Sequence, residues 1–367
     1  MRTVSVLTSL VLAATGTGLV AAPASAATAI TCGATVTGDV YLSHDLTCAN
    51  GITVTGDSTI DLRGHRFAGG RVGITMAGTG AITVRHGRLS NWSTAILPNT
   101  LDETIDPNDG LGSAVIDRVT FTGNDRGVDG SGNYLGSNRS RETLVKRSRF
   151  VDNSQGVTAT YGTLTVEHSI FTGNSTGGGA STGALTVRHS VLKNNHTALA
   201  CDEASCDYTD NLLRNNPIGV TSRIFGVNLL HNTIIGSDTA YTSFSDWGGG
   251  TIAGNRFVGN TTAVEIGFAS NLTIDGNVFT RNAKAVVSTE TAPSDPDDPL
   301  PTRASMTGNR FTRNGDALNL LISVRLKQNS AVRNTGWGIY APAATDLGGN
   351  TAHGNGRSPQ CTGVVCS

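Results

Sequence analysis

A short pattern recurs through almost the whole chain: an apolar residue, two variable residues, Asn, two more, Gly or Ala, then another apolar residue. Taking the first apolar residue as an anchor gives Phe67, Leu89, Phe121, Phe150, Phe171, Leu192, Leu213, Ile235, Phe257, Phe279, Phe311, Ala331 and Ala352. Nine of the twelve spacings between anchors are 20 to 22 residues; the other three, of 32, 29 and 32, are the same unit with an insertion. Asn stands three residues after the anchor in ten of the thirteen units, and Gly or Ala stands six after it in ten. Five before it, an apolar residue stands in every unit, from Leu62 to Leu347.

A unit of about 21 residues with alternating apolar positions holds two or three short strands and their turns. Alone it cannot bury its apolar side, but stacked on its neighbours it can, so such units fold as a solenoid. At ~4.8 Å per coil, thirteen coils make a rod roughly 60 Å long. The Asn column is expected at a turn, in the left-handed conformation, with its amide bonded to backbone or to the Asn one coil away. The Gly/Ala column is expected at a tight corner. The 46 glycines, 5% aromatics and 15% charged residues suit many short strands rather than a helical bundle.

The first residues read as a secretory signal peptide. Arg2 precedes an apolar run from Val4 to Ala22, and Ala24-Ser25-Ala26 is a small-x-small cleavage site, which predicts a mature chain from Ala27. The whole chain has a net charge of -1; without Arg2 it keeps 26 basic and 28 acidic residues, hence -2. Neither a nucleic-acid partner nor a membrane span after cleavage is expected. The six cysteines form close pairs, Cys32 with Cys48, Cys201 with Cys206 and Cys361 with Cys366. Six cysteines allow 15 pairings. Nearest-neighbour disulfides are the expectation, since a solenoid keeps sequence neighbours close and no Cys-x-x-Cys spacing points to a metal.

The Asn-x-Phe-x-x-Asn-x-x-Gly-Val type of coil resembles the pectate-lyase-like family of right-handed parallel β-helices, over about residues 51 to 356. The opening Cys32 to Thr37 and Asp45 to Cys48 resemble the N-terminal segment of secreted bacterial β-helix repeat proteins. The expected organisation is all-β: a signal peptide over 1–26, an N-terminal cap over 27–50, a single parallel β-helix of about 13 coils over 51–356, and a C-terminal cap over 357–367. The caps cover the raw ends of the stack, each tied by a disulfide.

Three insertions, 98–110, 129–142 and 289–303, begin after the strand that follows the Asn column, and the Cys201 to Cys206 segment sits at the same turn. The resemblance implies that loops here wall an active groove on the next strand. Four residues before the anchor, on the outward side of that strand, stand Arg63, Arg85, Asp117, Lys146, Glu167, Arg188, Thr209 and His231. One residue later stand His86, Arg118, Arg147, His168, His189 and Asp210. In register, Asp117, Lys146, Glu167 and Arg188 form a mixed-sign ladder. Outward charges of opposite sign on neighbouring strands also stabilise a sheet with no substrate at all.

The residues point to an extracellular polysaccharide carrying uronates. β-Elimination of a uronate needs its carboxylate neutralised, a base for the adjacent proton and an acid for the leaving oxygen. By resemblance to the lyases, Lys146 or His168 is the base, Arg188 the neutralising group, and Asp117 with Glu167 the ligands of Ca²⁺. Glu103, Asp106 or Glu203 would add oxygens toward the six to eight that calcium takes. Arg85, His86, Arg147, His189 and Tyr134 are the expected substrate contacts. Asp106-Pro107-Asn108 is similar to the Asp-Pro-His of alginate epimerases but lacks the His, and Gly64-His65-Arg66 is only part of a polygalacturonase set. Trp92, Trp247 and Trp337 are expected to pack rather than stack on sugars. The expectation is a secreted, monomeric uronate lyase or epimerase. The alternatives are a carbohydrate-binding or cell-surface protein without turnover, and a glycoside hydrolase using Asp117 and Glu167, two coils or roughly 9–10 Å apart.

Overall fold

Each coil is three short strands separated by two tight corners and one variable turn. The computed structural model describes residues 27–98, 112–132, 141–245, 249–269, 271–288 and 304–367. In one coil the strands are Glu142–Lys146, Arg149–Val151 and Gln155–Thr160, and each pairs in parallel with its counterpart in the next coil. Stacking builds three faces, here called the first, second and third sheets in that order. The anchor column is continuous through the second sheet. It starts at Leu46, one coil before the first anchor read from the sequence, and ends at Ala352, which makes about fourteen turns. The described residues contain no helix.

The alternation of inward and outward residues along each strand explains the core. Val145, Phe150 and Val157, one from each face, are fully buried, and so are their equivalents in neighbouring coils. Identical residues stack on identical residues. The Phe121, Phe150 and Phe171 rings lie 4.7 and 4.5 Å apart and nearly parallel, and Phe257, Phe279 and Phe311 repeat the arrangement. The Gly/Ala column lies where neighbouring backbones nearly touch: a Cβ on Gly156 would stand 2.4 Å from the Gly177 carbonyl oxygen.

The Asn column forms a buried ladder. Asn174 donates from its backbone N–H and from Nδ2 to Asn195 Oδ1, at 3.0 and 2.8 Å, and Asn195 does the same to Asn216. These asparagines are not left-handed. The residue before each one is, as at Gly123, Asp152, Gly173 and Asn194, so the strained φ and the buried amide fall on neighbouring positions. A second ladder at the other corner runs from Ser148 through Ser169 and Ser190 to Asn211, Asn232 and on to Asn350. Both serve the same need, since a corner's backbone groups cannot join a strand ladder and cannot be left unpaired when buried.

The register differs from the sequence reading at three coils. Ile234, not Ile235, is the buried anchor, which places Leu229 inside and makes Ala240 a member of the Gly/Ala column. Asp61, not Arg63, pairs with Arg85; Arg63 sits in a left-handed turn with its guanidinium 3.6 Å from the Tyr41 ring centre. In the last coil Asp346 aligns with Leu326, and Leu347 is exposed. The three disulfides join Cys32–Cys48, Cys201–Cys206 and Cys361–Cys366. The first and last lie near the ends of the stack. Cys201 and Cys206 are buried, closing a corner from inside rather than bridging a surface loop.

Candidate functional site

The first sheet carries the charged ladder, and the sequence register holds at its centre. Lys146 pairs with Asp117 on one side and Glu167 on the other, and Glu167 pairs with Arg188. The next residue of each coil, His86, Arg118, Arg147, His168, His189 and Asp210, takes a left-handed φ between 48° and 56° at the corner. In later coils glycine occupies this corner, as at Gly254, Gly276 and Gly308, where the same conformation is adopted without a Cβ penalty. His231 belongs to the corner column, and Leu230 takes its expected place in the ladder, opposite Thr209.

The carboxylates are held by guanidinium groups. Arg147 grips Asp117 with two parallel bonds, Nε to Oδ1 at 2.8 Å and Nη2 to Oδ2 at 2.6 Å, while Arg118 approaches Oδ2 at 3.3 Å. Burial of Asp117, 13% exposed, is the largest single influence on its carboxyl and opposes ionisation. The Arg147 hydrogen bonds, with the charges of Arg147, Arg118 and Lys146, outweigh it and hold the group below the usual carboxylate range. Arg188 donates from Nε to Glu167 Oε1 at 2.8 Å and from Nη2 to the same oxygen. Arg85 pairs with Asp61 at 3.1 Å, and His86 lies 3.7 Å from the same carboxylate. Lys146 forms no ion pair among the described residues. The His168 and His189 rings stack at 5.1 Å, and His189 Nδ1 lies 3.9 Å from Asp210.

The same pairing bears on the calcium expectation. Asp117 offers neither oxygen free of a guanidinium, Glu167 faces Arg188, and Lys146 stands between the two carboxylates. Among the described residues no group of three His, Cys, Asp or Glu converges. The described donors are engaged in salt bridges, and the six to eight oxygens that Ca²⁺ takes are not supplied by them alone. Glu203 lies at a left-handed turn and joins no such group. Tyr134, Glu103, Asp106 and Trp247 lie outside the described residues. With its carboxyl held ionised by Arg147, Asp117 suits the base rather than the acid of a hydrolase pair.

Three features went unnoticed in the sequence. Asp129 and Arg141, at the two ends of the second insertion, are both buried. Asp129 accepts from Arg126, Ser131 and Thr158, and Arg141 donates to the carbonyls of Gly78, Gly80, Pro98 and Ser113, spanning the stems of two insertions. The exposed aromatic residues also cluster. Tyr161 and Phe225, 37 and 44% exposed, lie at the turn between the third and first sheets, and Phe244, 50% exposed, stands near the end of the third-sheet strand Thr239–Ser245 that leads into it. Trp92, by contrast, is buried and donates to the Phe67 carbonyl, and Trp337 packs on Tyr340.

A family model described as the right-handed beta helix region matches residues 197–357. No curated protein sequence matches the chain. Among solved structures, the chain is similar to the periplasmic alginate epimerase AlgG, at 14% identity over 80% of this chain and 84% of that one, with a TM-score of 0.48. It is also similar to the catalytic unit of a thermostable GH87 α-1,3-glucanase from Streptomyces thermodiastaticus strain HF3-3, at 12% identity over 89% and 63%, with a TM-score of 0.46. The Azotobacter vinelandii mannuronan C-5 epimerase AlgE4 A-module is 13% identical over 83% and 91%, with a TM-score of 0.35. Likenesses this remote carry nothing about activity. With its parallel pairing throughout, its repeated corners and this match, the chain is a right-handed parallel β-helix.

Proposed function

We propose that the protein is secreted and acts on an acidic polysaccharide laid along the first sheet, as a uronate lyase or epimerase. The observation that carries the reading is the aromatic rim. The exposed aromatic side chains among the described residues gather along the edge where the third sheet turns into the first, the sheet that bears the charged ladder and the stacked histidines, with Tyr161 beside the Glu167 coil and Phe225 and Phe244 beside the coils after Arg188. A sugar presents an apolar ring face and polar edges, and rings beside charged groups match both. Proton abstraction beside the uronate carboxylate falls to Lys146, the ladder cation that no described carboxylate engages, or to His168. Arg188 keeps donors beyond those it gives Glu167 and faces the substrate carboxylate. Elimination then breaks the C–O bond at the neighbouring carbon, whose oxygen leaves with a proton taken from solvent, and yields an unsaturated uronate; epimerisation instead returns a proton from solvent to the opposite side of the same carbon.

Binding without turnover is the second reading. It is favoured by the Arg147–Asp117 and Arg188–Glu167 pairs, which satisfy the ladder without any substrate. The two readings separate on product formation from a panel of acidic and neutral polysaccharides. Lyase action raises ultraviolet absorbance on an acidic polymer, and Lys146→Ala abolishes it, a loss of about 10² or more for a positioned base. Epimerisation is read by NMR as inverted uronate residues. Affinity that falls in Phe244→Ala, with no absorbance, no reducing ends and no inversion, sinks the enzyme and leaves the binding protein.

A further inference from the structure

The second sheet is charged in a different way. Its strands carry Arg66, Arg88, Arg149, Lys193, Arg214, Arg256 and Arg310, and not one Asp or Glu. All but the half-buried Arg66 are exposed. Among the described residues none of the seven forms an ion pair, whereas on the first sheet Arg85 and Arg188, and Arg118 and Arg147 at its corner, each hold a carboxylate. The corners continue the trend, with Arg281, Arg313 and Arg333 at the position where Asp152 stands in an earlier coil. Asp45 borders the start of the face and accepts from the Arg66 backbone N–H.

Arg66 and Arg88 are direct neighbours in one column, and Thr120 and Arg149 continue it. Beside them lies an open depression of about 450 Å³, lined by Arg66, Arg88, Ser90, Asn91, Thr120 and Thr122. Arg66 is steadied there by Ser90, at 2.8 Å from Nε to Oγ. Like charges on adjacent strands work against the sheet. In a chain of net charge -1, the stack had acids enough to alternate here as it does on the first sheet. Folding does not ask for an unpaired cationic face along the rod; an anionic ligand of matching length does.

We infer that the second sheet is a docking surface for an extended acidic polysaccharide, carboxylated or sulfated, with the Arg66–Arg88–Arg149 column and its hydroxyl-lined depression as the main contact. A nucleic acid fits less well. The aromatic side chains of these strands, Phe67 through Phe311, point inward and are buried, so the face offers no platform for stacking bases. The surface is separate from the aromatic-rimmed first sheet, so the protein holds a polymer on one face independently of any chemistry on the other.

The test is binding of the mature chain to polygalacturonate, dextran sulfate, neutral dextran and duplex DNA across a salt series. The wild type should bind both acidic polysaccharides with affinity that falls as salt rises, and should not bind neutral dextran. Arg88→Glu/Arg149→Glu, with an unchanged circular dichroism spectrum, should weaken that binding about tenfold, since exposed charge contacts are each worth a few-fold. The same variant should keep wild-type turnover of short acidic oligosaccharides where turnover is found, so failure of the first-sheet reading does not touch this result. The inference is overturned if the double variant binds within about twofold of wild type, if no acidic polysaccharide binds, or if duplex DNA binds as tightly as they do.

Discussion

Removing the side-chain amide of Asn195 should cost this solenoid more than most single substitutions. The residue is fully buried, and its side chain takes part in four hydrogen bonds. Oδ1 accepts from the Asn174 backbone N–H at 3.0 Å and from Asn174 Nδ2 at 2.8 Å; Nδ2 donates to the Phe171 carbonyl at 3.3 Å and to Asn216 Oδ1 at 3.1 Å. Asn195→Ala strips partners from the coils on both sides at once. The two facing amides can turn toward other groups, but the backbone N–H of Asn174 and the carbonyl of Phe171 cannot. An unsatisfied buried group costs about 1–3 kcal/mol, so the loss should be about 3–5 kcal/mol. With a urea m-value of about 3 kcal/mol/M, the midpoint falls by roughly 1 M or more. Because a solenoid opens coil by coil, hydrogen exchange of the Asn174 amide reads the same loss locally. A midpoint shift below about 0.3 M, with that amide still protected, would refute the argument: water would then be replacing the side chain, and the ladder would be a consequence of the corner rather than its support.

The ladder ends on Gln360, whose Oε1 accepts from Asn355 N and Nδ2, both at 2.9 Å. Gln360→Ala should cost about 1–2 kcal/mol in the same urea titration, less than Asn195→Ala because Asn355 is only half buried. Replacing Cys32 and Cys48 by Ser should cost about 3 kcal/mol, and replacing Cys201 and Cys206 about 2 kcal/mol. The order follows from sequence separations of 16 and 5 residues, and thermal melts of the two pairs should rank the same way. Asp346 accepts from Val365 N and Gly348 N, and these backbone bonds hold its carboxyl below the ordinary value. A depressed folded-state pKa gives stability that is present above the unfolded value, about 3.9, and lost as pH falls through the folded one. Proteolysis of the C-terminal segment should therefore quicken below about pH 4 in the wild type, and Asp346→Asn should flatten that dependence.

The fold was legible because a solenoid writes its geometry into every coil. The Phe column, the buried column five residues before it and the Asn column each report one inward position, and thirteen copies average out local exceptions. Where the reading slipped, a neighbour of similar hydropathy stood beside the true position. Ile234 and Ile235 are both apolar, as are Leu229 and Leu230, and only pairing with Leu213 and Tyr208 separates inside from outside. Single-residue slips of this kind reverse which side faces the core. The conformational assignment of Asn failed for a different reason. Its backbone preferences favour the left-handed corner, but its amide is worth more in the buried ladder one residue on. The corner falls to the residue before the ladder Asn, which is Gly at Gly123 and Gly173 and Asp or Asn at Asp152, Asn194 and Asn215, with Arg281, Arg313 and Arg333 in later coils.

The ladder of Asp117, Lys146, Glu167 and Arg188 could be read from register, but its chemistry could not, because that depends on which cation reaches which carboxylate. Lys146 stands directly between the two acids, and a sequence reading assigns it to them. Arg147, at the corner one residue on, takes Asp117 instead, since a guanidinium binds both oxygens at once and an ammonium cannot. That exchange puts both Asp117 oxygens on guanidinium groups, and with Glu167 facing Arg188 it leaves Lys146 as the ladder's cation without a described ion pair. The same logic separates the two faces. A cation next to an acid on the neighbouring coil is satisfied by folding and needs no ligand to explain it. Of the second sheet's cations only Arg66 has such a neighbour, Asp45, and they stand on strands whose inward residues alone are required by the repeat. The outward positions of those strands are thus where the sequence was free to vary, and a charge of one sign repeated there over several coils is better evidence for a ligand than the mixed ladder that first drew attention.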